Sequence, residues 1–238
     1  MWVGRARCAG RIYVGMTDVA GRKGEDRMTG STGTVTTPKI AVVFYSATGN
    51  VAALAEAVAE GARKEGADVR VRPVPELAPP QAVASNPRWQ AWVDSNPYDQ
   101  TATLDDLAWA DGIALGSPTR FGGPAGQLKE FLDSTGGLWA KGKLVDKVGT
   151  SFTSSSTKHG GLESTILAMN NVLYHWGSIV LPLGYTDPHV MESGNPYGGS
   201  FVSRKSAAPD EEALGACRVQ GARLARVTRY VAAGLAAE

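Results

Sequence analysis

An uninterrupted apolar run near residue 40 constrains the fold of this chain more than any other feature. Residues 40–45 (IAVVFY) are rich in β-branched and aromatic side chains, the pattern of a strand buried on both faces of a parallel sheet. A small polar turn follows at 46–50, and apolar residues then recur at helical spacing until Gly66, a typical helix stop. A buried strand that runs directly into a helix predicts an α/β protein.

The same alternation of strand and helix recurs along the rest of the chain. Further strands are predicted at 68–73, 112–116, 148–153 and 179–183, with a loop at 184–205. Helices are predicted at 105–110, 126–134, 162–173 and from 209 onwards. Because crossovers between parallel strands are right-handed, we predict a doubly wound, five-stranded parallel sheet with helices on both faces.

Two segments fall outside this alternation. Residues 1–37 show no sustained hydrophobic period and are expected to form a flexible N-terminal extension, with Met28 as an alternative start, before a domain at 38–238. Residues 75–104 hold five prolines, two tryptophans and a tyrosine, and are too long for an ordinary connection. We expect this insert to be a loop or short helix that covers the sheet or a neighbouring subunit.

Composition and spacing exclude several classes of function. The formal net charge is +1, without the concentrated basic face that binds nucleic acid, and no apolar run is long enough to span a membrane. The three histidines have no metal-ligand spacing, and the G-x-S-x-G motif of hydrolases is missing. Cys8 and Cys217 are not expected to pair, which fits a cytoplasmic protein.

The first candidate binding site is the turn between the first strand and the first helix. Unpaired backbone N–H groups at a helix start attract anions, and polar side chains add donors there. The turn lacks the Gly-Lys-Ser/Thr of a P-loop and the G-x-G-x-x-G of a dinucleotide fold, so a monophosphate fits better than a triphosphate. A helix cap without a ligand is the alternative. The residues of this site are Ser46, Ala47, Thr48, Gly49, Asn50 and Val51.

Two more loops follow the third and fourth predicted strands. In a sheet ordered 2-1-3-4-5, ligands bind where the order reverses, between strands 1 and 3. The second loop offers backbone N–H groups and an aromatic ring to a flavin: Pro118, Thr119, Arg120 and Phe121. The third loop, residues 154–161, offers hydroxyls and positive charge, and positive charge raises the potential of a flavin. Its residues are Ser154, Ser155, Ser156, Thr157, Lys158, His159, Gly160 and Gly161. The alternatives are a core contact, solvated charges and an ordinary flexible loop.

Four runs of sequence resemble the WrbA-type NAD(P)H:quinone oxidoreductases, a flavodoxin-like family. They are KIAVVFYSATGN, SPTRFGGPAGQLKEFLDSTGGLW, TSFTSSSTKHGGLEST, and LYHWG with LPLGY, within 39–235. The stretch 118–139 is the most specific of them. The resemblance implies a flavodoxin-like fold, FMN as cofactor, NAD(P)H as electron donor, a quinone as substrate, and a homotetramer or homodimer whose active sites draw residues from neighbouring subunits.

The resemblance also assigns roles to individual residues. It implies that the three loops hold FMN, that His175 lies beside the flavin and the substrate cavity, and that Trp139 lines the quinone side from a partner subunit. Thr48 stands where the family often has an aromatic residue, which makes dinucleotide stacking less favourable. Thr157, Lys158 and His159 replace a glycine-rich stretch, which alters the expected flavin affinity or donor preference.

The predicted activity is two-electron transfer from NAD(P)H to quinones by alternating half-reactions, with His175 as a proton donor or hydrogen-bond partner of the quinone oxygen. A capped histidine near a helix end is the alternative role of His175. Two other functions stay open. A one-electron carrier would dock through a strongly acidic face, which the net charge of +1 disfavours. A non-catalytic flavin sensor would use the same fold without turnover.

Overall fold

The computed structural model describes residues 37–204 and 208–237. The predicted N-terminal extension, apart from Thr37, lies outside these residues, and so does Cys8.

Parallel strands form the framework of the domain. The strands are Lys39–Phe44 (β1), Asp68–Pro73 (β2), Gly112–Arg120 (β3), Gly123–Pro124 (β4), Val148–Ser155 (β5), Ile179–Val180 (β6) and Ser200–Val202 (β7). The main path of the sheet runs β2-β1-β3-β5-β6, and all of its pairings are parallel. Counted along the chain, this is the predicted order 2-1-3-4-5, so the doubly wound five-stranded sheet is confirmed.

Helices cover both faces of this sheet. They are Asn50–Lys64 (α1), Pro80–Ala84 (α2), Pro87–Ser95 (α3), Leu104–Trp109 (α4), Gly126–Asp133 (α5), Gly136–Ala140 (α6), Leu162–Trp176 (α7), Pro188–Ser193 (α8) and Glu211–Leu235 (α9). In the described part of the chain, none of these helices has both the length and the apolar character that a membrane crossing needs.

The alternation of β1 explains why its sequence is apolar throughout. Ile40, Val42 and Phe44 lie in one buried cluster with side chains of α1 and α9. Ala41, Val43 and Tyr45 lie in a second cluster with side chains of α4, α5 and α7. Because successive side chains point to opposite faces, a strand between two helical layers needs an apolar residue at every position.

The fifth strand of the sheet is split into two pieces. β6 pairs with the first residues of β5, and β7 pairs with its last residues, on the edge that β3 does not occupy. The predictions of a continuous strand at 179–183 and a plain loop at 184–205 are therefore wrong. The chain leaves the edge after Leu181, forms α8 against α9, and returns to complete the edge.

The insert at 75–104 contains α2 and α3, and its aromatic side chains contact both clusters. Trp92 and Tyr98 pack against the α1/α9 cluster, and the Tyr98 ring meets the Phe44 ring edge-on at 5.4 Å. Trp89 packs against the opposite cluster. Trp92 and Trp89, both in α3, pack against the clusters that hold Phe44 and Tyr45 on opposite faces of the sheet, so α3 crosses the carboxyl end of β1.

Candidate functional site

The turn after β1 leaves the start of α1 open to an anion. Gly49 is the N-cap of α1 and adopts a left-handed backbone (φ 87°), so no side chain caps the first turn, and no acidic residue lies in it. The Gly49 N–H donates to Ser46 Oγ at 3.1 Å, which closes the turn. Unpaired N–H groups at the positive end of the helix dipole form an anion cradle.

Thr119, at the end of β3, joins the second and third loops. Its hydroxyl donates to the Gly160 carbonyl at 3.1 Å and accepts from the Gly122 N–H at 3.2 Å. The Thr165 hydroxyl, in the first turn of α7, donates to the same oxygen at 2.8 Å. This oxygen therefore fixes the turn after β3 and the start of α7 against each other.

The third loop is positioned by a hydrogen bond within the loop and by hydrogen bonds from Ser203, which follows β7. Ser155 Oγ donates to the Thr157 carbonyl at 2.6 Å. The Ser155 carbonyl accepts from the Ser203 N–H at 2.7 Å and from the Ser203 hydroxyl at 3.1 Å. The end of β5 is thus positioned by residues that return to the sheet only after α8.

The three loops border one cavity of about 380 Å³, which is within the range of small-molecule sites. Eleven of the predicted site residues line it: Ser46, Ala47, Thr48, Asn50, Val51, Pro118, Thr119, Arg120, Ser154, Ser155 and Ser156. They meet at the carboxyl ends of β1 and β3, where the strand order reverses, as the strand-order rule requires.

Other predicted residues lie beside this cavity rather than in its wall. Gly49 shapes the first turn, and Gly160 accepts the hydrogen bond from Thr119. Phe121 is fully exposed at the tip of the turn between β3 and β4, with a φ of 52°, which is unfavourable for a bulky side chain. Lys158 and His159 line a second cavity, of about 740 Å³, beside the start of α9. Thr157 contributes its carbonyl to the hydrogen bond with Ser155.

His175 and Trp139 are not brought into the cavity of their own chain. His175 lies in the last turn of α7, whose first turn touches the cavity loops, so it is about 20 Å away along the helix. Trp139 is 58% exposed on α6. Neither side chain lines the cavity of the same subunit.

Three residues that line the cavity were not among the predicted site residues. Ser203 was missed because the split of the fifth strand was not foreseen. Asn86 and Arg88 come from the insert. The sequence Asn86-Pro87 is a recognisable helix start, but nothing local shows which part of the sheet the helix approaches.

A carboxylate beneath the cavity connects the insert to the first loop. Glu76 Oε2 accepts from the Tyr45 hydroxyl at 2.7 Å and from Trp89 Nε1 at 2.8 Å, and its Oε1 accepts from Gln127 Nε2 at 2.7 Å. Burial alone would raise the pKa of Glu76, but these bonds and the Ala78 N–H outweigh it and lower that pKa. Burial, together with this carboxylate, raises the pKa of Tyr45.

The donors around the cavity fit a flavin monophosphate. No residue in the wall of the cavity has a carboxylate, and Arg88 and Arg120 add positive charge. A phosphomonoester suits the open start of α1, whereas a magnesium-bound triphosphate would need acidic or lysine ligands that this wall lacks. Within the described residues, no cluster of His, Cys, Asp and Glu side chains could hold a metal ion.

The fold and the three-loop site define the class of this protein, a flavodoxin-like α/β protein. The family described as NADPH-dependent FMN reductase matches residues 38–189. The chain belongs to the WrbA-type NAD(P)H:quinone oxidoreductases, as the sequence predicted.

Individual relatives agree with this assignment. The NAD(P)H dehydrogenase (quinone) of Sinorhizobium fredii is 43% identical over 204 residues, covering 82% of this chain and 98% of the relative. The protein of the same name from Deinococcus radiodurans is 42% identical over 166 residues, covering 69% of this chain and 83% of the relative.

Solved structures support the fold. The flavodoxin, WrbA-like protein from Agrobacterium tumefaciens has a TM-score of 0.59 and 25% identity, covering 82% of this chain and 99% of that structure. An archaeal flavodoxin, 23% identical with a TM-score of 0.53, shares the fold over 80% of this chain and 98% of its own.

Proposed function

We propose that this protein is an FMN-dependent oxidoreductase that transfers two electrons from NAD(P)H to quinones. The observation that supports it most is the cavity at the reversal of strand order, with an uncapped helix start on one side and no carboxylate in its wall. The relatives named NAD(P)H dehydrogenase (quinone) support the choice of donor and acceptor. Bound FMN would supply the hydride chemistry, which no side chain of this site provides.

The residues of the site then take distinct roles. The first-turn N–H groups of α1, with Ser46, Thr48 and Asn50, hold the phosphate. Backbone groups of the second loop border the flavin ring, at Pro118, Thr119 and Arg120. Phe121 lies exposed at the tip of this loop, beside the cavity. Ser155 and Ser156 contact the edge of the ring and the ribityl chain. Thr157, Lys158, His159 and Gly160 stay predicted parts of the site, of which Gly160 acts through Thr119.

We also propose that the enzyme is a cytoplasmic homotetramer or homodimer in which subunits complete each other's sites. Trp139 and Tyr174 are 58% and 62% exposed, respectively, which is unusual for such large aromatic side chains. His175 follows Tyr174 directly. An interface on this surface would bring His175 and Trp139 to the cavity of a partner, where His175 can donate a proton to the quinone oxygen and Trp139 can cover the quinone.

An absorbance experiment tests the activity. The purified chain is mixed with FMN, free flavin is removed, and the spectrum is followed under anaerobic conditions as NADH or NADPH and then benzoquinone are added. We expect the bound flavin to lose its colour with the dinucleotide and to regain it with the quinone. Flavin that is retained but not reduced by either dinucleotide would indicate a carrier, and a chain that retains no flavin refutes the proposal.

A second measurement tests the contribution of the neighbouring subunit. The variant His175→Ala should bind FMN normally and be reduced normally by the dinucleotide, because the proposal assigns FMN to the three loops and places His175 against the quinone. Its turnover with quinone should fall about 100-fold if it supplies a proton. Light scattering gives the oligomeric state of both proteins. An unchanged turnover, or a monomer with full activity, contradicts the shared-site proposal.

A further inference from the structure

The insert between β2 and α4 contributes a positive charge to the cavity. Arg88 lines it together with the turn that follows β1, although the insert lies outside all three predicted loops. That turn offers only hydroxyl, amide and backbone donors. Arg88 is therefore placed to add an ionic partner to a turn whose own donors are neutral.

Two contacts fix the helix that bears Arg88. The Asn86 side chain caps α3, accepting from the Arg88 N–H at 3.1 Å and the Trp89 N–H at 3.4 Å. One turn further along, the Trp92 ring lies 3.3 Å from the point where a Cβ on Gly49 would stand. Because residues four apart share a helix face, Arg88 and Trp92 lie on the side of α3 that faces the first turn.

The Trp89 side chain holds α3 from the opposite face of the sheet. Its Nε1–H donates to Glu76, which also accepts from Tyr45, the residue directly before Ser46. The insert and the first turn are thus tied to one carboxylate. The position of Arg88 relative to the start of α1 follows from this shared anchor and from the contact between Trp92 and Gly49.

Within residues 37–204 and 208–237, no carboxylate lies within 4.0 Å of the Arg88 guanidinium, and the Arg88 side chain donates no hydrogen bond. The other cation of the wall, Arg120, donates to the Thr119 carbonyl at 3.1 Å and belongs to the loop that borders the ring. Arg88 is therefore the better placed of the two arginines for a ligand anion at the start of α1.

We propose that Arg88 binds the phosphate of FMN, pairing its guanidinium with the phosphomonoester held at the start of α1. The inference rests on the proposed function, because it requires FMN in this cavity. It makes the insert part of the cofactor site, so that tight FMN binding depends on α3 being docked across the end of β1. Ionic hydrogen bonds from arginine to phosphate are about twice as strong as neutral ones.

A comparison of FMN with riboflavin, which lacks the phosphate, tests the inference. Both flavins are titrated into the flavin-free chain and into the variants Arg88→Gln, Arg88→Lys and Arg63→Gln. Arg63 is the matched control, since it loses the same charge at the other end of α1, about 20 Å from the cavity. Thermal unfolding of each variant shows whether the fold is retained.

We expect Arg88→Gln to weaken FMN binding about tenfold or more while riboflavin binding changes less than about twofold. Arg88→Lys should keep most of the FMN affinity, and Arg63→Gln should keep all of it. FMN binding to the unsubstituted chain should weaken with added salt, and Arg88→Gln should reduce that dependence. Affinity should also rise between about pH 5 and 7, as the phosphate loses its second proton, less steeply in Arg88→Gln.

Three outcomes overturn the inference while leaving the proposed function in place. They are FMN affinity that Arg88→Gln leaves unchanged, equal losses for FMN and riboflavin, and a change confined to the KM of NADPH, which would assign Arg88 to the 2′-phosphate of that donor. An unsubstituted chain that binds neither flavin overturns the proposed function and this inference together.

Discussion

The close packing of α9 against α1 predicts stability changes of opposite sign at two glycines of α9. A Cβ on Gly221 would stand 1.8 Å from the Val58 carbonyl oxygen of α1, whereas a Cβ on Gly234 would have no neighbour within 4 Å. Gly221→Ala and Gly234→Ala make the same chemical change in the same helix. Only the distance to the facing helix differs.

The size of the effect follows from the contact distance. Real Cβ contacts do not fall below 3.0 Å, so Gly221→Ala must part α1 and α9 by roughly 1 Å, and the Val58 carbonyl cannot turn aside because it belongs to the hydrogen-bond ladder of α1. A contact of 1.8 Å lies at the upper end of the overpacking cost, about 3 kcal/mol, from which the better helix propensity of alanine returns about 1 kcal/mol. We expect a net destabilisation of about 2 kcal/mol for Gly221→Ala and a stabilisation of about 0.5 kcal/mol for Gly234→Ala.

Urea and thermal unfolding, followed by circular dichroism at one protein concentration, measure both changes. A loss of about 2 kcal/mol should lower Tm by about 4–8 °C for a domain of this size. Gly61→Ala should behave like Gly221→Ala, since its Cβ would stand 1.9 Å from the Arg218 carbonyl oxygen. The variant that combines Gly61→Ala with Gly221→Ala should lose less stability than the sum of the two single losses, because helices that have already parted accommodate a second methyl group. Equal effects of Gly221→Ala and Gly234→Ala would refute the reasoning.

Three further predictions concern polar groups. Burial would raise the pKa values of Glu76 and Asp106, but hydrogen bonds, and for Asp106 also Arg70 and Arg72, lower both pKa values in the fold. Their stabilisation is therefore complete above about pH 5 and is lost below about pH 4, as the pH falls through the lowered pKa values. Urea unfolding of Glu76→Gln should depend less on pH in this acidic range. Gln220→Leu leaves the buried Gly199 N–H unpaired and should cost about 2–4 kcal/mol, with faster hydrogen exchange in β7; normal exchange there contradicts it. Trp89→Phe removes a hydrogen-bond donor to Glu76 and should lower the affinity for FMN several-fold while leaving the affinity for riboflavin unchanged. Equal losses of affinity for both flavins would show a general disturbance of the site.

Local pattern was sufficient to predict the framework and the first loop. The apolar run 40–45 requires a strand with helices on both sides, because no other position in an α/β fold buries both faces of a strand. The small polar residues after it require a tight turn into a helix, and Gly49 indeed supplies the left-handed N-cap. The two loops after β3 and β5 meet the first loop because all three follow neighbouring parallel strands.

Only the tertiary structure decided which distant residues join this framework. Glu76 receives Tyr45, Trp89 and Gln127 from three separate segments, and Arg88 reaches the cavity only because the insert crosses the end of β1. His175 is separated from the cavity of its own chain because α7 is rigid and about 20 Å long. Sequence periodicity fixes which face of an element is buried, but it holds no information about where a long connection lands. That is set by packing between residues far apart in the chain, which the folded protein alone resolves.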